Sequence, residues 1–267
     1  MEEIYKFAVQ IAYKAGEALM HFFHKPHQIG YKGDINLVTE ADLETEKLIK
    51  EAISSRYPQH SILAEESGLK KGQTAEVKWI VDPLDGTTNF AHGLPWFCVS
   101  IAVENQGELV IGAIYNPVLK EMFTALKGKG AFLNDQRISV SKNDKLIKSL
   151  IATGFPYDVQ QRPEPIMTRF YKMILKARGI RRIGSAALDL CYVACGRFDG
   201  FWEERLKPWD TAAGALIVKE AGGKVSDFEG NPYSIYGKEI LATNGFLHSN
   251  MLKVLKEAKE GAYDEKN

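Results

Sequence analysis

The sequence predicts an α/β protein, one domain over residues 1–267 in two intimate subdomains. Three observations carry this. The chain opens on two helical patterns. Between residues 61 and 133, apolar or alternating runs follow one another, separated by Gly, Asn and Pro, which reads as a largely antiparallel sheet. From residue 150 onward strands alternate with helices, the pattern of a layered α/β half. The seam between an α+β part (about 1–145) and an α/β part (146–267) is placed near 140–150.

Each element has its own warrant. Ile4, Phe7, Ala8, Ile11, Ala15, Ala18, Leu19 and Phe22 recur at three- and four-residue spacings, which predicts a helix over 3–23 closed by Pro26. Thr39-Glu40-Ala41-Asp42 fits a capping box, so a second helix is expected over 41–57, stopped by Pro58. Strands are expected at 61–64, 78–81, 97–103, 109–115, 121–125 and 131–133. In the second half the order is strand 150–153, helix 163–178, strand 179–183, helix 186–195, strand 199–202 and helix 210–221, the last ended by Gly222-Gly223. A strand at 239–242 and a helix at 247–258 complete the chain, with 261–267 expected to fray.

Composition narrows the function. The 34 basic and 34 acidic residues cancel, which argues against a protein that coats a polyanion. No apolar run approaches the ~20 residues of a membrane-spanning helix. The acidic start Met1-Glu2-Glu3 is wrong for a secretion signal, and Cys191 and Cys195 read as buried thiols. These features point to a cytoplasmic protein. Phosphate-cradling Gly-rich loops and the Gly-x-Ser-x-Gly elbow are absent, and the six histidines are scattered.

The acidic residues are concentrated. In Trp79-Ile80-Val81-Asp82-Pro83-Leu84-Asp85-Gly86-Thr87-Thr88-Asn89-Phe90 an apolar strand delivers Asp82, and Pro83 is expected to bend the chain into a turn. Asp85 then converges with Asp82, and the Leu84 carbonyl is freed from the ladder. Gly86 opens the way to a ligand, and Thr87-Thr88 offer N–H groups at a helix start. Hard oxygen donors beside such N–H groups suit Mg²⁺ and phosphate, although Asp-Pro and Asp-Gly are equally ordinary turn dipeptides. Ile62-Leu63-Ala64-Glu65-Glu66 again runs a strand into paired carboxylates, or into a solvated strand end. Lys207-Pro208-Trp209-Asp210 puts Asp210 at a helix start, as ligand or as N-cap. Arg182-Ile183-Gly184-Ser185-Ala186-Ala187 is a small-residue turn, a site of close packing or a floor for a polar ligand.

Taken in order, Glu-Glu-Ser, Asp-Pro-Leu-Asp-Gly-Thr-Thr-Asn-Phe, Gly-Ser-Ala-Ala and Pro-Trp-Asp-Thr-Ala-Ala-Gly resemble the inositol monophosphatase family over about residues 4–258. The resemblance implies a five-layer αβαβα sandwich, a homodimer, and Mg²⁺-dependent, lithium-inhibited hydrolysis of a sugar or polyol phosphate. It also implies roles. Glu65, Asp82 and the Leu84 carbonyl would hold a first Mg²⁺, and Asp82, Asp85 and Asp210 a second. Glu65 with waters would hold a weaker third, and Mn²⁺ would substitute. Thr87 would position the attacking water, with Asp42 taking its proton or hydrogen-bonding Thr87, and Glu66 would stand behind the metal ligands. Gly86 and Thr87 N–H groups would hold phosphate oxygens, and Asp85, Gly184, Ser185, Ala186, Glu203 and Asp210 would meet the polyol hydroxyls.

Inositol 1-phosphate is the expected substrate, with fructose 1,6-bisphosphate or NADP as alternatives and a non-enzymatic RNA- or protein-binding role as the reading from another class. No nucleic acid or membrane is expected as partner. The run Glu204-Arg205-Leu206-Lys207 departs from the family pattern and is expected to set two cations beside the polyol pocket. Asn36 departs from it too, standing where family members often carry an acid.

Overall fold

The computed structural model describes residues 1–23, 29–32, 36–73 and 76–264. Helix α1 (Glu2–Phe23) leads into a hairpin of β1 (Ile29–Lys32) and β2 (Asn36–Thr39), then α2 (Glu40–Arg56). A larger sheet follows from β3 (Ser61–Ala64), β4 (Gly68–Lys70), β5 (Val77–Asp85), β6 (Cys98–Asn105), β7 (Glu108–Asn116), β8 (Glu121–Leu126), β9 (Gly130–Leu133) and β10 (Gln136–Ile138). A short helix α3 (Thr87–Ala91) interrupts it after β5. The rest comprises β11 (Leu150–Thr153), α4 (Ile166–Ile174), β12 (Gly179–Arg181), α5 (Ala186–Ala194), β13 (Gly200–Glu204), α6 (Pro208–Glu220), β14 (Lys224–Ser226), β15 (Glu239–Thr243) and α7 (His248–Asp264).

The 8-stranded sheet runs β10-β9-β8-β7-β6-β5-β3-β4, and the 5-stranded sheet β12-β11-β13-β15-β14. The larger sheet is antiparallel except where β3 lies parallel to β5; in the smaller one β11 runs parallel to both neighbours. Three apolar cores hold the layers together. One packs α1 and α2 on the outer face of the larger sheet, around Ile11, Leu19, Ile49 and Trp79. The second fills the space between the sheets with α5 and α6. The third packs α4 and α7 on the outer face of the smaller sheet, around Met173, Trp202 and Met251. Helix, sheet, helix, sheet, helix is the expected five-layer order.

The middle helices sit unusually close to their neighbours. A Cβ on Gly112 of β7 would meet the Ala213 carbonyl oxygen of α6 at 2.8 Å, and one on Gly214 would meet Leu190 Cβ of α5 at 2.6 Å. Alanine and glycine make this layer thin.

Several expectations need correcting. Pro83 does not make a turn: β5 continues to Asp85 with a register shift, Asp82 opposite Ser100 and Asp85 opposite Cys98, which is a bulge. A bulge inserts one residue and re-aims the side chains on either side, so both aspartates leave one strand end together. The expected helix 163–178 shrinks to Ile166–Ile174, with Pro165 in the preceding turn and Leu175 and Lys176 in the turn that follows. Helix α6 begins at Pro208 with Lys207 as N-cap, so Asp210 is its third residue and not the cap; proline is at home in the first turn. Helix α7 runs on to Asp264, past the point where fraying was expected. Pro26 and residues 265–267 lie outside the described residues.

Candidate active site

The acids meet because of strand register. Ala64 pairs with Val81 across the parallel β3/β5 ladder, and the Glu65 N–H donates to the Val81 carbonyl at 3.2 Å. Glu65 and Asp82 therefore emerge side by side at the same sheet edge. Asp85 comes from the far side of the bulge, and Asp210 from the first turn of α6. Together they line one wall of a cavity of about 320 Å³ that also takes in Leu84, Gly86, Thr87, Gly184, Ser185, Ala186 and Glu203.

Each aspartate is aimed by its own carboxylate. Asp82 Oδ1 accepts from the Leu84 N–H at 3.0 Å. Asp85 Oδ2 accepts from Ser185 Oγ at 2.5 Å and from the Ala187 N–H at 2.8 Å. Asp210 Oδ2 accepts from the Lys207 N–H at 2.7 Å, closing a capping box.

Burial and mutual repulsion disfavour these charges. Asp82 is held well above the carboxylate range by burial, then by the charges of Glu65, Asp85 and Asp210. Asp210 is raised for the same reasons, burial first and Asp85 next. Asp85 is pushed up to about 6 by burial, against the opposing hydrogen bonds from Ser185 and Ala187. Glu203 reaches about 8 through burial and Asp210, with Arg182 pulling the other way. Crowded carboxylates of this kind are the donor set a hard divalent cation neutralises, so the residues fit Mg²⁺. Among the described residues, no group of three or more acidic, His or Cys side chains stands close enough to hold an ion by itself. An ion shared by Asp82, Asp85 and Asp210 would have to draw the three carboxylates closer and take the rest of its shell from water and substrate phosphate.

Thr87 opens α3 beside this wall. Its Oγ1 lies 3.2 Å from Asp42 Oδ1 and 3.0 Å from the Leu84 carbonyl oxygen. The hydroxyl carries one proton, so donating to either acceptor leaves its lone pairs for another donor. Asp42 is buried as the third residue of α2, and its Oδ2 accepts from both the N–H and the hydroxyl of Thr39, at 2.7 and 2.6 Å. Burial, with Glu66 and Glu65 adding repulsion, pushes Asp42 up to about 6. Glu66 stands back from the cavity, its N–H donating to Glu46 Oε2 at 2.7 Å. Gly86 has φ +94°, and a Cβ there would meet the Trp96 carbonyl oxygen at 2.7 Å, so only glycine leaves this approach open.

The two cations expected beside the pocket are not equivalent. Arg205 and Lys207 both line it, but Arg205 is paired with Asp158 at 2.6 Å. Glu204 is bound to the buried Arg169. Three further lining residues escaped sequence reasoning. Arg182, over the Phe155 ring, stood inside the quoted Gly-Ser-Ala-Ala window. Asp189 was signalled by being the sole charged residue in the apolar run of α5. Tyr157, on the loop after β11, gave no signal; it lines the cavity, and its phenol is raised by loss of solvent and by the Glu65 and Asp85 charges.

A two-sheet α/β sandwich with a carboxylate wall and a hydroxyl held by a buried acid suits a phosphoric monoester hydrolase. The comparisons with known proteins agree. The chain belongs to the inositol monophosphatase family, whose model matches residues 1–260. It is 43% identical over 251 residues to the inositol-1-monophosphatase of Mesorhizobium japonicum, spanning 93% of this chain and 94% of that one. It is 44% identical to a Vibrio cholerae protein named Nus factor SuhB, over 91% of this chain and 92% of that one. A solved structure, the extragenic suppressor protein SuhB of Bartonella henselae, superposes with a TM-score of 0.91 at 44% identity, over 95% of this chain and 98% of that one. No helix among the described residues is long and apolar enough to cross a membrane.

Proposed function

We propose that this chain hydrolyses inositol 1-phosphate to inositol and phosphate by direct attack of water, with Mg²⁺ bound at the acidic wall. The observation that carries the reading is the Asp42–Thr87–Leu84 hydrogen-bonded set standing beside Glu65, Asp82, Asp85 and Asp210. Glu65, Asp82 and the Leu84 carbonyl would hold one ion, Asp82, Asp85 and Asp210 a second, and Glu65 with waters a weaker third; Mn²⁺ would substitute. Bound there, the cations supply charge neutralisation for the phosphate and for the attacking and leaving oxygens.

The chain's own groups do the rest. Thr87 Oγ1 donates to Asp42 Oδ1 and presents its lone pairs to the attacking water; as the water attacks, its proton passes to Thr87 Oγ1 while the Thr87 proton passes to Asp42 Oδ1. The Gly86 and Thr87 N–H groups take phosphate oxygens. Asp85, Gly184, Ser185, Ala186, Glu203 and Asp210 face the polyol. No side chain acts as a covalent nucleophile.

A phosphate-release screen in Mg²⁺ tests this, with inositol 1-phosphate, fructose 1,6-bisphosphate, NADP and p-nitrophenyl phosphate in the panel. Inositol 1-phosphate should show the highest kcat/KM, lithium should inhibit, and excess EDTA should abolish turnover. Full turnover in EDTA would sink the reading. A partner-binding role is the second reading, and the name of the Vibrio relative favours it. The intact acid set favours catalysis.

The protein is also proposed to be a cytoplasmic homodimer. Supporting the dimer, Met167, Tyr171, Ile174 and Leu175 form one apolar stripe along α4 and its end, each at least 40% exposed.

A further inference from the structure

We infer that Asp189 is a specificity-determining residue of the cavity, hydrogen-bonding a hydroxyl of the substrate's alcohol portion. Asp189 is 1% exposed, and its Oδ1 has no hydrogen-bond partner. Among the described residues no cation stands within ion-pair distance of it. A buried carboxyl left in this condition is costly, and native structures rarely keep one without a use. Packing alone does not ask for it. Its neighbours Ala187, Leu188, Leu190 and Cys191 are buried and apolar. Yet Asp189 lines the same cavity as Glu203 and Ser185.

The chemistry of the missing partner follows from the surroundings. Phosphate oxygens are acceptors and anionic, so a carboxyl beside Glu203 and Asp85 repels them. An aryl or alkyl leaving group would leave Oδ1 as orphaned as it is now. A hydroxyl satisfies the carboxyl in either protonation state, by donating to it or accepting from it. A site built to bond a hydroxyl discriminates strongly against an analogue that lacks one. Asp189 therefore selects polyol phosphates over phosphate esters bare of hydroxyls.

The inference rests on the phosphatase reading, and the test separates the two. The parent protein, Asp189→Asn and Asp189→Leu are assayed in Mg²⁺ on inositol 1-phosphate, its monodeoxy analogues and p-nitrophenyl phosphate. If the parent releases phosphate from none of them, the phosphatase reading fails. If it does, Asp189→Leu should lose about 10- to 100-fold in kcat/KM on inositol 1-phosphate, mainly through KM, and less than about 3-fold on p-nitrophenyl phosphate. One monodeoxy analogue should be as poor for the parent as the full substrate is for the variant, and the variant should not distinguish the two. Equal losses on both substrates, or no loss on either, overturn the inference. Should Asp189→Leu fail to fold, Asp189→Asn keeps the shape and must show the same selective direction at smaller size.

Discussion

Asp85 Oδ2 and Ser185 Oγ stand 2.5 Å apart although 100 residues separate them in the chain. The bond ties the end of β5 to the residue that caps α5, whose Oγ also accepts from the Leu188 N–H. Ser185→Ala removes both interactions. Stability should fall by ~1–2 kcal/mol, the range of a lost cap plus a charge-assisted bond. The KM for the polyol substrate should rise as well, since Asp85 loses one of the two contacts that aim it. Calorimetry and steady-state kinetics on one preparation check this; unchanged melting with unchanged KM refutes it.

Thr87→Ala leaves the carboxylate wall intact and removes the hydroxyl held by Asp42. A drop in kcat of ~10² or more is expected, within the range of groups that position or move protons. Stability should change by no more than ~1 kcal/mol. Near-normal turnover would mean that Thr87 only opens α3.

Asp210→Asn tests the second ion. The amide oxygen still accepts from the Lys207 N–H, so the start of α6 survives, and one charge leaves a crowded wall. Metal-free melting should hold steady or rise, while the Mg²⁺ requirement rises and kcat falls by orders of magnitude. Parent kinetics at parent Mg²⁺ would show that Asp210 holds no ion.

The raised carboxylates also fix a pH dependence for the metal-free protein. Asp42 and Asp85 stand at about 6 and Glu203 at about 8, above their ordinary values of 3.8, 3.8 and 4.5. Between those limits the folded chain holds more protons than the unfolded one. The favourable contribution is present below about pH 4 and is lost as pH rises through 6 and then 8. Mg²⁺ takes the place of the proton on Asp85, so its stabilising effect should be larger at pH 8 than at pH 5. Melting with and without Mg²⁺ at the two pH values measures it. An equal gain at both would detach the wall from metal binding.

Tyr171→Glu together with Leu175→Glu places two charges on the apolar stripe of α4. Light scattering should report a dimer for the parent and a monomer for the variant, with little change in melting. A parent that runs as a monomer ends the dimer proposal.

What the sequence disclosed and what it hid divide along physical lines. Trp79–Phe90 and Lys207–Gly214 were legible because their chemistry is local: acids, a proline and small residues within one short stretch. The helices of the core were legible from periodicity, which is why α1, α2, α5 and α6 came out within a few residues. The bulge in β5 was not, since it is defined by the facing residues Cys98 and Ser100. Nor was the hairpin β1–β2, whose strands are four residues each and carry no clean alternation. The charges of Arg205 and Glu204 looked free because their partners, Asp158 and Arg169, lie 47 and 35 residues away. Asp189 was hidden by the opposite error, a lone acid in an apolar helix being easy to pass over.

The thin middle layer has a consequence for anyone redirecting this catalyst. One side of the cavity is set by α5 and α6, where Gly214 already touches Leu190 and Gly112 already touches Ala213. Added volume there has nowhere to go, and overpacking a filled interior typically costs ~1–3 kcal/mol. The cavity is also lined by Phe155, Tyr157 and Leu206, borne on loops, with Tyr157 57% exposed. Mutant libraries drawn at those three positions explore new leaving groups, whereas libraries drawn at Leu190 or Ala213 mostly return protein that does not fold.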